Sequence, residues 1–395
     1  RFYENQLQIN GGRNDGFVAW GNTGALVMGH YADNATKLRL WGLARQYTLC
    51  DNFFMGAFGG SFLAHQYLAA AQAPFYPHAD QSPARFQIAV VQGDDPTGIH
   101  QRLADDSPAS AMEGRPKWVV HDALTPDFWA VNNIGPAYAP GFNQDPHDPQ
   151  LADASSPNTL PPQSHLTIGD MLSRAGVDWA WYAGAWQLAL DGKGDGDPHQ
   201  FPPIPNFQPH HQPFNYFRQF APGTAARKQH LRDAGVGSHA DSNHFIAAIE
   251  AGTLPPVAFY KPEGDLNMHA GYASVEAGDE HLAQLVEALQ KSPQWPHMLV
   301  VITVDENGGW WDHVAPPKGD RWGPGTRVPA IIVSPHAKRD FVDHTIYDTG
   351  SILRFITRRF GLDRLPGLKL RDASMIAAGG PAPGDLTAAL QFETR

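Results

Sequence analysis

The 395-residue sequence predicts an α/β protein built on a mostly parallel sheet covered by helices on both faces. Two observations carry that expectation. Short segments apolar on both faces, such as 298–304 (MLVVITV) and 328–333 (VPAIIV), read as buried strands. Between them lie segments with a helical period, among them 61–72 (SFLAHQYLAAAQ) and 279–291 (DEHLAQLVEALQK). No fixed-period repeat and no compositional break divides the chain, which favours one domain over 1–395.

The elements follow in order. Residues 36–47 read as a helix capped by Asn34 or Thr36, and 61–72 as a second helix opening after a glycine pair. Strands are expected at 87–92 (QIAVVQ), 118–120, 177–182, 256–260, 298–304 and 328–333. Further helices are expected at 167–174, 242–251, 279–291 and 348–360. Residues 143–162 and 191–213, rich in Pro, Asp, His, Asn and Gln, break this rhythm. Loops of that length are either lids over a site or surface insertions.

Composition narrows the function. With 29 Lys and Arg against 40 Asp and Glu, the net charge is −11, which argues against a nucleic-acid partner. The aliphatic run at 298–304 falls far short of the roughly 20 residues of a transmembrane helix. The single cysteine, Cys50, excludes an intrachain disulfide or a multi-cysteine zinc site and reads as a buried apolar residue. The opening RFYENQLQ has neither an initiator Met nor an apolar signal core, so the expectation is a processed chain or an internal piece.

Three constellations carry chemistry. In VVITVDENGG a buried strand ends in two adjacent carboxylates, Asp305 and Glu306. In open parallel sheets the functional crevice lies beyond the carboxyl ends of the strands. Two carboxylates there repel unless a donor or cation compensates them, and hard divalent cations take such oxygen ligands. A solvated acidic turn is the plain alternative. In DNFFMGAFGGSFLAH a glycine-bearing turn leads to Ser61 at the mouth of a helix. There, beyond Gly60, free N–H groups and the helix dipole favour a bound anion and the alkoxide of a nucleophile. Ser61 as a simple N-cap is the alternative, and Leu63 rules out a G-x-S-x-G elbow. Among 19 histidines, His210 and His211 in FQPHHQPF and His269 in DLNMHAGYAS sit in loop sequence, where imidazoles can serve phosphate oxygens or a leaving group. His313 and Arg327 read as structural.

Together DNFFMGAFGGSFLAH, FQPHHQPF, GDLNMHAGYAS, ITVDENGGWWDHVAPP and GPGTRVPAIIVSP resemble the bacterial phosphoesterase family of acid phosphatases and phospholipases C, within the alkaline phosphatase superfamily. The acid-phosphatase branch is the closer resemblance. It implies a three-layer sandwich with a central, mainly parallel sheet, and metal-assisted hydrolysis of phosphate monoesters, with phospholipase C action on lipid head groups as the alternative. By position, Ser61 matches the nucleophile and Asp305 and Glu306 two ligands of one divalent metal ion. His210, His211 and His269 match histidines around the phosphate and its leaving group. The resemblance also implies export to the periplasm or beyond. The family's other ligands are an adjacent Glu-Asn in E-N-x-S-F-D; Glu4-Asn5 lacks that continuation and receives no such role. The segment completing the site, with the first strand of the sheet, is accordingly expected to lie outside this sequence. A metal-free serine esterase, a non-catalytic phosphate binder and an inactive truncated form are the readings from other classes.

Overall fold

The structure, a computed structural model, describes residues 1–392 other than 22–23, 30–36, 111, 121 and 193–206. The Asn34 or Thr36 cap and most of the 191–213 loop lie outside the described residues. The strands are β1 (Thr48–Cys50), β2 (Phe53–Phe54), β3 (Gly135–Pro136), β4 (Thr159–Leu160), β5 (Trp179–Gly184), β6 (Leu231–Gly235), β7 (Val257–Lys261), β8 (Val300–Thr303), β9 (Ala330–Val333), β10 (Phe341–Asp343) and β11 (Tyr347–Asp348). The α-helices are α1 (Phe2–Ile9), α2 (Phe17–Trp20), α3 (Arg39–Gln46), α4 (Ser61–Ala70), α5 (Ile168–Arg174), α6 (Trp186–Leu190), α7 (Ala225–His230), α8 (His244–Glu250), α9 (Val275–Lys291), α10 (Gly350–Phe360) and α11 (Pro366–Ala377).

Two sheets carry the fold. One runs β10–β1–β9–β8; β1 pairs with β10 in parallel, while β9 is antiparallel to both β1 and β8. The other, β6–β5–β7, is parallel throughout. The β2–β11 pair continues β1–β10 past Asp51 and Asn52, again in parallel. The expected single central sheet is therefore divided. β7 and β8 each end a sheet and are not hydrogen-bonded to one another, and a cleft of about 900 Å³ lined by both lies between them. Layering on both faces holds for the parallel sheet. Ala180, Tyr182 and Ala234 pack under Phe245 and Ile249 of α8 and Leu285 and Leu289 of α9. Trp179 and Trp181 point the other way, into the core shared with α5 and Phe214. That alternation is the period of two expected of a strand buried on both sides.

Local chemistry explains the helices. Thr167 and Asp170 form a reciprocal capping box at the start of α5, and Ser274 caps α9. No side chain of its own caps α3; instead Asp279 of α9 accepts from the amides of Arg39 and Leu40 at 2.7 and 2.9 Å. Two expected strands are absent. Residues 87–92 and 118–120 make only single bridges, such as Ile88 to Leu124 and Leu103 to Trp118. Ala89 and Leu124 are buried in an irregular layer, where an apolar run resembles a strand in sequence but pairs with none. Residues 143–162 fold back on 135–139 through the Tyr138–Leu151 and Gly135–Thr159 pairings. Cys50 is buried as expected, and burial pushes its thiol up to about 12.

Beneath α4 lies a buried ionic network. Arg371 binds Asp348 and Asp320 at 2.8 Å each and also donates to the Gly56 carbonyl. Arg354 binds Asp348 and Asp372, and Arg364 binds Asp372. Because desolvated charges are tolerable only when paired, each member depends on the others. The network fixes Gly56, at the head of the turn that leads to Ser61. Arg371→Leu, which strands Asp320 and Asp348, is expected to cost about 3–5 kcal/mol in urea unfolding.

A second prediction concerns acid. Burial holds His281 down to about 4, and burial followed by the Lys261 charge does the same to His65. An unfolded histidine titrates near 6.5. Between the two values the unfolded chain binds more protons than the folded one, so stability falls as pH drops through that window and is full above it. Urea midpoints measured from pH 7 to pH 4 should decline. The decline should be shallower in His281→Gln, which removes one such group.

Candidate active site

The site assembles where β7, β8 and the β2–α4 turn end together. Phe53 and Phe54 pair with Tyr347 and Asp348, and the chain then turns through Gly56–Gly60 into α4. Gly59 has φ +107°, a conformation that L side chains rarely adopt, and a Cβ there would stand 3.0 Å from the Phe2 backbone. Asn5 of α1 braces this turn, accepting from Gly59 N and donating to Thr326. The Glu4-Asn5 pair thus acts structurally here, Glu4 meeting Arg1. Gly60 is the N-cap of α4, and no side chain caps it, so the first-turn amides face the site uncapped. Ser61 opens the helix and its hydroxyl donates to Glu306 Oε1 at 3.3 Å.

Asp305 and Glu306 follow β8 directly. Glu306 Oε2 accepts from Gly308 N at 3.0 Å, which folds the turn back under the carboxylate. Burial and the neighbouring Asp305 charge raise the Glu306 carboxyl above its ordinary range. For Asp305 burial pulls the same way, but the Lys261 ammonium, with the His65 ring facing the carboxylate, outweighs it and holds the carboxyl below its ordinary range. Adjacent carboxylates have thereby been split: one is a firm anion and the other a readier proton acceptor.

Three imidazoles form the floor. His65 lies one turn beyond Ser61 on α4 and is buried; its Nδ1 sits 2.7 Å from the Ser61 carbonyl, which requires it to be the protonated nitrogen. That same nitrogen is 3.4 Å from Asp305 Oδ2, an oxygen that receives no hydrogen bond among the described residues. His210 and His211 occupy the buried turn Pro209–His211, their ring centroids 5.5 and 5.7 Å from that of His65. Trp181 of β5 holds that turn by donating to the His211 carbonyl at 2.7 Å, and Gln212 donates back to the Trp181 carbonyl. Burial keeps both imidazoles neutral, and the Lys261 charge adds to it. Among the described residues, His210 Nδ1 is also without a hydrogen-bond partner.

Of the residues singled out in the sequence, Ser61, Gly60, Asp305, Glu306, His210 and His211 converge. His269 reaches only the rim; it is exposed, stacks on Tyr272 at 4.6 Å, and its charge is felt at Glu306. The 143–162 loop makes its contacts with residues 87 and 135–139 rather than with Ser61 or Asp305. Arg327 binds Asp312 and the Asp51 carbonyl, a structural role. His65 and Lys261 had not been singled out. The signal for His65 was present, since position i+4 shares a helix face with Ser61.

Asp305 and Glu306 suit a hard cation, and Asp305 Oδ2 is an unpaired buried oxygen. Among the described residues, however, no three His, Cys, Asp or Glu side chains form a group able to hold a metal. These residues alone do not fit the ion. No helix of the described residues is long and apolar enough to cross a membrane.

The chain is similar in sequence to several bacterial phospholipases C. A 257-residue stretch, 58% of this chain, is 28% identical to non-hemolytic phospholipase C of Burkholderia pseudomallei and covers 36% of that protein. Phospholipase C A of Mycobacterium tuberculosis is 28% identical over 296 residues, 68% of this chain and 50% of its own. The chain thus spans between a third and a half of these relatives. An alkaline phosphatase superfamily protein from Vibrio parahaemolyticus superposes with a TM-score of 0.40 at 12% identity, over 92% of this chain and 67% of its own. The profile of the Phosphoesterase family matches residues 1–363, and the chain belongs to that family.

Proposed function

We propose that the chain hydrolyses phosphate esters with Ser61 as nucleophile. The observation that carries the reading is the Ser61 hydroxyl on Glu306, at the uncapped mouth of α4 and beside three neutral imidazoles. Glu306, whose proton affinity burial and Asp305 raise, takes the hydroxyl proton as Oγ attacks phosphorus in line. The bond to the leaving oxygen breaks, and that alcohol takes a proton from the rim residue His269, which recovers one from the water of the second step while Glu306 returns its proton to Ser61 Oγ. The α4 amides beyond Gly60 and His210 receive the non-bridging oxygens. Water then attacks the phosphoserine and releases the phosphate product.

The substrate is better read as a phosphodiester of a phospholipid head group than as a phosphomonoester. Relatives named phospholipase C support the diester. So does charge: a monoester is close to a dianion at pH 7 because its second proton leaves near 6, while a diester carries one charge. A floor of neutral imidazoles, with Lys261 the cation in contact with Asp305, suits the single charge. Below pH 6 a monoester also becomes a monoanion, so the acid-phosphatase reading stands as the second.

Hydrolysis of p-nitrophenyl phosphorylcholine should exceed that of p-nitrophenyl phosphate at pH 7, with the gap closing at pH 5. Ser61→Ala should lose about a thousandfold or more in kcat. An unchanged rate in that variant would overturn the nucleophile. Cleavage of p-nitrophenyl acetate undiminished by chelator, without phosphoester turnover, would point to a serine esterase instead.

A further inference from the structure

Lys261 closes β7, and its placement is determined by the strand. Side chains on one face of a strand recur every two residues, so Lys261 shares the face of Val257 and Phe259. Phe259 stacks on Trp181 at 5.1 Å, and Trp181 holds the turn that carries His210 and His211. The register Ala183–Lys261 ends the β5–β7 pairing, and a Cβ on Gly184 would stand 2.2 Å from Glu263 N. Only glycine allows the two strands to come together so closely there, which anchors the chain on both sides of Lys261.

The ammonium is 15% exposed and lies 3.4 Å from Asp305 Oδ1. That is looser than the roughly 2.7–2.9 Å of a tight charge-assisted bond. A lysine has three donors, and this contact is the hydrogen bond Lys261 makes from its side chain among the described residues. The remaining donors sit among groups that register the charge: His65, His210 and His211 are each pushed toward the neutral form by it. A half-buried cation with spare donors, on the carboxylate adjacent to the one that holds Ser61 and among uncharged imidazoles, is arranged to meet an anion.

We propose that Lys261 is a phosphate-binding residue, its ammonium held beside Asp305 and donating to the non-bridging oxygens of the phosphoryl group at Ser61. This rests on the reading of Ser61 as the phosphoester site, and the test separates the two. Inorganic phosphate is titrated calorimetrically into Ser61→Ala protein, which cannot turn over. The same titration is run with Lys261→Met and with Lys261→Gln in that background. Loss of the charge should weaken phosphate binding by about tenfold or more, as for a lost charged hydrogen bond. Lys261→Arg should recover much of it. The affinity of the parent should fall with added salt more steeply than that of Lys261→Met. Lys261→Gln keeps two N–H donors without the charge, so it serves if Lys261→Met fails to fold. Phosphate bound as tightly by Lys261→Gln or Lys261→Met as by the parent overturns the role of Lys261 and leaves the Ser61 site standing. No phosphate bound by the Lys261-intact protein, while p-nitrophenyl acetate is still cleaved before Ser61 is changed, overturns both.

Discussion

The constraint on which the site depends is that two adjacent carboxylates end a strand inside the protein. Asp305 and Glu306 cannot both ionise freely in a place that disfavours charge. The surroundings resolve this by giving them unequal partners. Asp305 faces Lys261 and His65, and Glu306 faces a hydroxyl and a backbone amide. One carboxylate therefore keeps its charge and the other gains affinity for a proton. The serine that must lose a proton is hydrogen-bonded to the second.

Holding that asymmetry requires rigid supports, and the fold supplies a separate one for each member. Ser61 is set by the Gly56–Gly60 turn, which Asn5 braces from one side and Arg371 from the other. The imidazole pair hangs from Trp181, deep in β5. His65 is tied to Ser61 through the turn of α4 they share, so nucleophile and nearest imidazole move as one body. Each support reaches back to a core element, which is why a substitution such as Arg371→Leu bears on a site it does not touch.

Much of this could be read from the chain and some could not. The Asp305–Glu306 end of β8 and the Ser61 mouth of α4 are local features, an apolar run stopped by charge and a helix stopped by glycine. Local signals of that kind survive folding. Lys261 was hidden because it ends an otherwise apolar strand, and His65, though on the helix face of Ser61, resembles a polar residue satisfied in the core. Their significance comes from what crosses over to meet them, Asp305 from β8, a contact between residues 240 and 44 positions apart. Sheet order has the same origin: β1 meets β9 and β10 across nearly the whole chain, and nothing local says that β7 and β8 part company. Residues 87–92 failed for the opposite reason, local pattern without a partner to pair with.

The preference between one and two negative charges on the substrate follows from the same burial. Imidazoles that burial holds neutral are hydrogen-bond donors and acceptors but not counter-ions. A site floored by them stabilises a phosphoryl group by dipoles, by amide N–H groups and by Lys261, and each added charge on the substrate raises the requirement for a cation. A phosphodiester meets that requirement at neutral pH, whereas a monoester meets it only after taking up a proton. A cation added to the site would shift this balance toward the dianion. The metal-dependence of the monoester-to-diester ratio, more than either rate alone, therefore reports how the charge of the site is composed.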